Sequence, residues 1–182
     1  KKIMSALVSI MILALLSGCA DQINGRIVEN DEIVIGWIGP MTGQSAVLGM
    51  DSAVAAEIAV EEINMAGGVS GKKIKLILED DQYDVKKTVS AYQKLVDVDG
   101  AKVIVISTYS GVFALSERAK RDGVVLVDPL DCNSALTALG DHVFCLATDS
   151  ESIAEILAEE AENGEVKKSG ILFFQSDAFM PL

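Results

Sequence analysis

Three short segments hold most of the groups that could touch a ligand. They are Gly39-Pro40-Met41-Thr42-Gly43-Gln44, Thr108-Tyr109-Ser110-Gly111 and Asp128-Pro129-Leu130-Asp131-Cys132-Asn133. Each follows a short apolar run with the β-branched character of a buried strand. Ligands of open parallel sheets sit outside the carboxyl ends of the strands, so the three segments are expected to converge on one crevice. The second has the sharpest chemistry. Ser110 is expected to cap a helix, where unpaired N–H groups and the helix dipole favour an anion such as a free carboxylate. Gly111 would let a ligand approach the backbone closely. The alternative is that Ser110 caps its own helix and does nothing else.

Catalytic arrangements are thin. The single histidine, His142, opens an expected strand ten residues from Cys132. An enzyme using Cys132 as nucleophile would need His142, a third orienting group and an oxyanion site, and is the least favoured reading. Cys132, Cys145 and His142 lack the paired short spacings of a zinc site. Asp80, Asp81 and Asp84 form an acidic turn that reads as a solvated loop with Asp84 as a helix cap, without the alternating oxygen ligands of a calcium site. Gly39 and Gly43 do not make a dinucleotide fingerprint. No catalytic residue, metal or cofactor is expected.

The elements that must position these loops alternate strictly. Ile33–Asp81 reads as one βαβ unit: an apolar run buried on both faces, an Ala-rich helix, a Gly67-Gly68 stop, and a strand at Lys73–Glu79. Trp37 lies within the first strand and reads as core. Asp84–Val98 is a helix with Val85, Val89, Tyr92 and Val96 on one stripe and Gly100 as its stop. A strand at Lys102–Ser107, a helix from Ser110 to about Arg121 stopped by Gly123, and a strand at Val124–Val127 follow. After a loop at Asp128–Asp141 comes a strand at 142–147. Thr148 and Glu151 fit a capping box for a helix with Ile153, Ile156, Leu157 and Ala161 on one face. A last strand is expected at Ser169–Gln175. The pattern predicts an α/β, doubly wound parallel sheet covered by helices on both sides.

Lys1 and Lys2 precede an apolar run, Ile3–Leu16, too short for a membrane span and laid out as a secretory signal. Leu16-Ser17-Gly18-Cys19 resembles the bacterial lipobox, which implies cleavage before Cys19 and a lipid on its sulfur; the alternative is an uncleaved anchor helix or an ordinary signal with a chance cysteine. The formal charge of −12 argues against nucleic acid as a partner and is explained by solvated acidic helix faces. In an oxidising compartment Cys132 and Cys145 could form a disulfide, worth up to ~3 kcal/mol for a loop near this length, or remain separate thiols.

The words GPMTG, INMAGGVSGKKI and EDDQYD resemble the leucine/isoleucine/valine-type extracytoplasmic solute-binding proteins of ABC importers, and the resemblance runs from Glu32 to the C-terminus. It implies a type I periplasmic-binding fold of two lobes, about twice this length. The chain is then expected to be an N-terminal fragment: 1–18 signal peptide, 19–30 tether, 31–147 lobe 1, and 148–182 the start of lobe 2. It also implies capture of an amino acid, branched-chain ones included, or a similar small polar solute, by closure of the lobes and without bond chemistry. Partners would be ABC permease subunits and, through the lipid on Cys19, the membrane, at an extracytoplasmic location. A sensory protein of the same fold is the alternative. Carried over residue by residue, Tyr109, Ser110 and Gly111 would meet the ligand's carboxylate, and Leu130, Asp131 and Cys132 its ammonium. Leu48 matches a position over the ligand or a lobe contact, and Phe179 matches an aromatic facing the site from lobe 2, or core. Tyr109 is bulkier than the Ser-rich family turn. Cys132 stands where a hydroxyl is common, and Asp131 adds a carboxylate that a cation could use.

Overall fold

A computed structural model describes residues 32–170. The leader, Cys19, the tether, most of the expected strand at 169–175 and Phe179 lie outside them. Among the described residues no helix is long and apolar enough to cross a membrane.

Five strands, β1 (Glu32–Gly39), β2 (Lys73–Asp80), β3 (Val103–Ile106), β4 (Val125–Asp128) and β5 (Val143–Cys145), pair in the order β2-β1-β3-β4-β5, all parallel. Helix α1 (Ala46–Met65) joins β1 to β2, α2 (Val85–Gln93) joins β2 to β3, and α3 (Tyr109–Asp122) joins β3 to β4. Right-handed crossovers move the chain one way through α1 and the other way through α2 and α3, so α1 covers one face and α2 and α3 the other. The reversal beside β1 is the topological switch point, where ligands of such sheets bind.

The core lies under α2 and α3, where Ile38, Tyr92, Leu95, Ile104, Ile106, Val112, Leu115 and Leu126 are fully or almost fully buried. Burying each large apolar side chain contributes roughly 1.5–3 kcal/mol, which outweighs the weak propensity of short strands such as β3. α1 turns into β2 through Gly67 and Gly68, both at positive φ, and a side chain at Gly68 would strike the Lys72 carbonyl. Asn64 then clamps the start of β2, accepting from the Ile74 N–H at 2.7 Å and donating to its carbonyl at 2.8 Å.

Several expectations are corrected. The buried stripe of α2 is Thr88, Ala91, Tyr92 and Leu95, and Val85, Val89 and Val96 are only partly buried. The valines flank this stripe, with Val89 and Val96 packed against the edge of the core, and the helix relaxes into a wide turn over Lys94–Val98. Asp84 does cap α2, accepting from the Lys86 and Lys87 N–H groups, and Gly100 at φ 75° follows it. The cap of α3 is Thr108 and not Ser110, which lies inside the first turn. A short helix α4 (Ser134–Thr137), capped by Asn133, interrupts the loop before β5, and β5 itself is only three residues long. The last helix, α5 (Ser150–Asn163), is capped by Asp149, whose carboxylate takes the Ser152 N–H at 2.9 Å. Thr148 is therefore displaced from that role, and Glu151 accepts instead from the Ser134 hydroxyl at 2.5 Å.

Two helices leave apolar residues in water. On α1, Val47, Leu48, Met50, Val54 and Ile58 are exposed, and on α5 no residue is buried, with Ile153, Ile156 and Leu157 all exposed.

Candidate functional site

The carboxyl ends of β1 to β4 carry the three expected loops, and acidic residues hold each of them in shape. Asp80 ends β2 beside Gly39, its partner in register on β1. Its Oδ1 accepts from the N–H groups of Met41 at 2.8 Å, Thr42 at 3.3 Å and Gln82 at 3.0 Å, and its Oδ2 accepts from the Thr42 hydroxyl at 2.5 Å. Burial works against ionisation of Asp80, but these four bonds outweigh it and hold its carboxyl below the usual range. The Gly39–Gly43 loop also lies against α1, since a side chain at Gly49 would strike the Pro40 carbonyl.

Asp81 is fully buried, which corrects the reading of this turn as solvated. Its Oδ2 accepts from the hydroxyls of Thr88 at 2.8 Å and Thr108 at 2.6 Å, and its Oδ1 from the Tyr83 N–H at 2.9 Å. Thr108 thus gives its hydroxyl to Asp81, and α3 begins with no side-chain cap. The first-turn N–H groups of Tyr109 and Ser110, both partly buried, open at the end of β3. Gly111 is also needed for packing: a Cβ there would lie 2.7 Å from Thr88 Cγ2, so α3 could not close on α2 without a shift.

The third loop is held from both ends. Asp128 closes β4 fully buried, and its Oδ1 accepts from the N–H groups of Leu130 at 3.0 Å and Asp131 at 2.9 Å, whereas its Oδ2 has no partner. Burial pushes this carboxyl up to about 6; the two N–H bonds pull against that shift and the nearby Asp131 charge adds to it. Burial raises Asp131 as well. Cys132 and Cys145 are bonded to each other, with their Cα atoms 5.1 Å apart, so the loop is fastened to β5. A bonded Cys132 has no thiol to serve as a nucleophile.

The structure joins the second and third loops directly. Asn133 donates to the Tyr109 hydroxyl at 2.9 Å, and the Tyr109 ring packs on Phe113 with centroids 4.9 Å apart. Tyr83 also belongs to this end of the sheet. Its backbone is strained at φ 61°, and its phenol is raised by burial and by the charges of Asp131, Asp128 and Asp81. Sequence reasoning missed Tyr83; a residue between two turn-forming acids carries no periodic signal. Leu130 is 44% and Leu48 65% exposed, Leu48 standing on α1 next to the first loop. Trp37 is core. His142 makes a structural contact, its Nε2 donating to the Ser116 carbonyl at 2.9 Å. Among the described residues no group of three or more carboxylates, histidines or cysteines could hold a metal. The arrangement offers backbone N–H donors and hydroxyls to a small polar molecule.

A family model described as periplasmic binding protein matches residues 32–179. The chain is 36% identical over 144 residues to a Leu/Ile/Val-binding protein homolog of Brucella melitensis, covering 78% of this chain and 39% of that protein. It is 29% identical over 140 residues to the Leu/Ile/Val-binding protein of Escherichia coli, covering 76% and 38%. Among solved structures, an ABC transporter substrate-binding protein from Desulfitobacterium hafniense in complex with Leu superposes with a TM-score of 0.62 at 30% identity, covering 73% of this chain and 39% of that one. The branched-chain amino acid transporter substrate-binding protein of Streptococcus pneumoniae in complex with isoleucine gives 0.61 at 28% identity, covering 65% and 34%. The chain spans about two fifths of the length of the curated relatives it matches.

Proposed function

The chain belongs to the periplasmic binding protein family, and from that premise we propose that it forms the N-terminal part of an extracytoplasmic receptor that captures an amino acid for an ABC importer. The relatives named for Leu, Ile and Val binding, and the solved relatives holding leucine and isoleucine, support an α-amino acid as ligand. The observation that carries the reading is the uncapped first turn of α3, tied through Tyr109 and Asn133 to the third loop. Such a turn suits an α-carboxylate, and the loop beside it offers backbone carbonyls and Asp131 to an ammonium group. Tyr109, Ser110, Leu130 and Asp131 are the proposed contacts from this lobe, with Leu48 at its rim. Gly111 and Cys132 shape the loops from behind.

On this reading residues 31–147 are one lobe and α5 starts the second. The exposure of α5, on which no residue is buried, favours a boundary there, and its first turn meets the third loop through the Ser150 N–H donating to the Cys132 carbonyl at 3.0 Å. Ligand capture is then hinge closure of two lobes with no bond made or broken, and the closed form docks on permease subunits. Cys19 carries the lipid that holds the receptor at the membrane. Uptake of labelled amino acids by cells with and without the gene tests the transport assignment. Loss of uptake on deletion is the expected result; unchanged uptake with an altered transcriptional or motility response to the same amino acids would make the protein a sensor.

A further inference from the structure

Asp81 gathers every element that frames the crevice on its side of the sheet. Its N–H donates to the Gly39 carbonyl at 3.1 Å, and its own carbonyl accepts from the Asp84 N–H at 2.8 Å, so β1, β2 and the start of α2 meet at its backbone. Its buried carboxylate takes three further donors, from Tyr83, Thr88 and Thr108. Burying a carboxylic acid side chain away from water is costly unless its oxygens are hydrogen-bonded, so these three donors are held strongly.

Thr108 has the extended backbone of a helix cap, φ −121° and ψ 105°, and threonine in that position ordinarily accepts from an N–H two or three residues on. Here it makes no such bond: its hydroxyl is turned inward, away from the first turn, and donates to Asp81 at 2.6 Å. We propose that Asp81 is a positioning residue for the binding site: by drawing the Thr108 hydroxyl into its buried carboxylate, it withdraws the helix cap and leaves the first turn of α3 free for a ligand's carboxylate. The inference rests on the amino-acid reading for the identity of that carboxylate, and on the geometry alone for the withdrawn cap. It also accounts for the polar Thr88, which occupies the second site on the same oxygen and fixes the direction from which Thr108 must come.

The test is made on the full chain. Amide exchange in the wild type should be fast at Ser110 and slow at Val112; a Ser110 amide as protected as Val112 overturns the proposal without any variant. In Asp81→Asn the one remaining oxygen is held by the Tyr83 N–H, which can only donate, so the Thr108 hydroxyl loses its acceptor and its inward hold and can turn to cap. Exchange at Ser110 should then slow at least tenfold, although core amides on β3 hold or speed up. Adding Thr108→Val to Asp81→Asn should restore fast exchange at Ser110. A merely structural Asp81 predicts the opposite sign, with Ser110 speeding up in step with the core. In parallel, the preference for L-leucine over L-leucinamide should fall about tenfold in Asp81→Asn and return within about threefold in the double variant. If the wild type binds no amino acid, the ligand assignment has failed and the exchange arm alone decides the cap. Unchanged exchange at Ser110 in Asp81→Asn overturns the inference whatever the binding data give.

Discussion

Replacing Asp128 by Asn should make the protein more stable at neutral pH. The carboxyl is fully buried, one oxygen takes the Leu130 and Asp131 N–H groups, and the other has no partner. Its folded value is raised from an ordinary 3.8 to about 6, so the fold prefers the protonated form. The sign follows from linkage. The contribution of a raised carboxyl is fully present below pH 3.8 and is lost as pH climbs through about 6. A shift of that size corresponds to a loss of at most about 3 kcal/mol above pH 7. Asparagine keeps the acceptor for both N–H groups and cannot ionise, and its amide occupies the oxygen that was already unpartnered. Asp128→Asn should therefore gain about 1–3 kcal/mol over wild type at pH 8, with the gain vanishing near pH 4. Urea unfolding with the disulfide intact measures this, read from the fluorescence of Trp37, the only tryptophan and 1% exposed. A stability difference that stays flat from pH 4 to 8, or a variant weaker than wild type at pH 8, would refute the reasoning.

Removing the Cys132–Cys145 bond with serine at both positions should cost about 2–3 kcal/mol, seen as a lower urea midpoint that no longer responds to reductant. Ser110→Ala should leave stability within about 0.5 kcal/mol, because Thr108 and not Ser110 is the cap, and should still weaken amino-acid affinity by about 1 kcal/mol; unfolding curves and calorimetry read the two effects separately. Hydrogen exchange on this chain should be fast along α5, whose apolar residues are uncovered, and slow in β1 and β3; equal protection would argue against a lobe boundary at 147.

The alternation of apolar runs with helical stretches is enough to read the parallel sheet, because β1 to β4 are rich in Ile, Val and Leu and run into Gly, Asp, Ser or Thr residues that favour loops. Glycine stops were legible for the same reason: Gly100 and Gly123 both have positive φ just after a helix. Caps were read less well, since Thr108, Ser110, Thr148 and Asp149 are all suitable by type. What decides among them is tertiary. Thr108 takes the cap's place in the chain but spends its hydroxyl on Asp81, twenty-seven residues away in sequence, which no local pattern encodes. The same holds for Asp80 and Asp81, adjacent acids that look solvated and yet organise two different loops. Gly111 carries a packing role that sequence does not reveal. A glycine beside a binding turn suggests ligand access, but the space it leaves is filled by Thr88. The stripe of α2 is centred beside the one its valines suggest, because the small Ala91 and the polar Thr88, which bonds to Asp81, take the buried positions while Val89 and Val96 pack at the edge of the core.

Calorimetric titration of the full-length protein with a panel of L-amino acids and their amides tests the central claim most directly. The account predicts saturable binding of at least one α-amino acid with a free carboxylate, and binding at least tenfold weaker for its amide, because the carboxylate is held by the uncapped turn at Tyr109–Ser110. Equal affinity for acid and amide, or no binding across the panel by a protein that unfolds cooperatively, would contradict it.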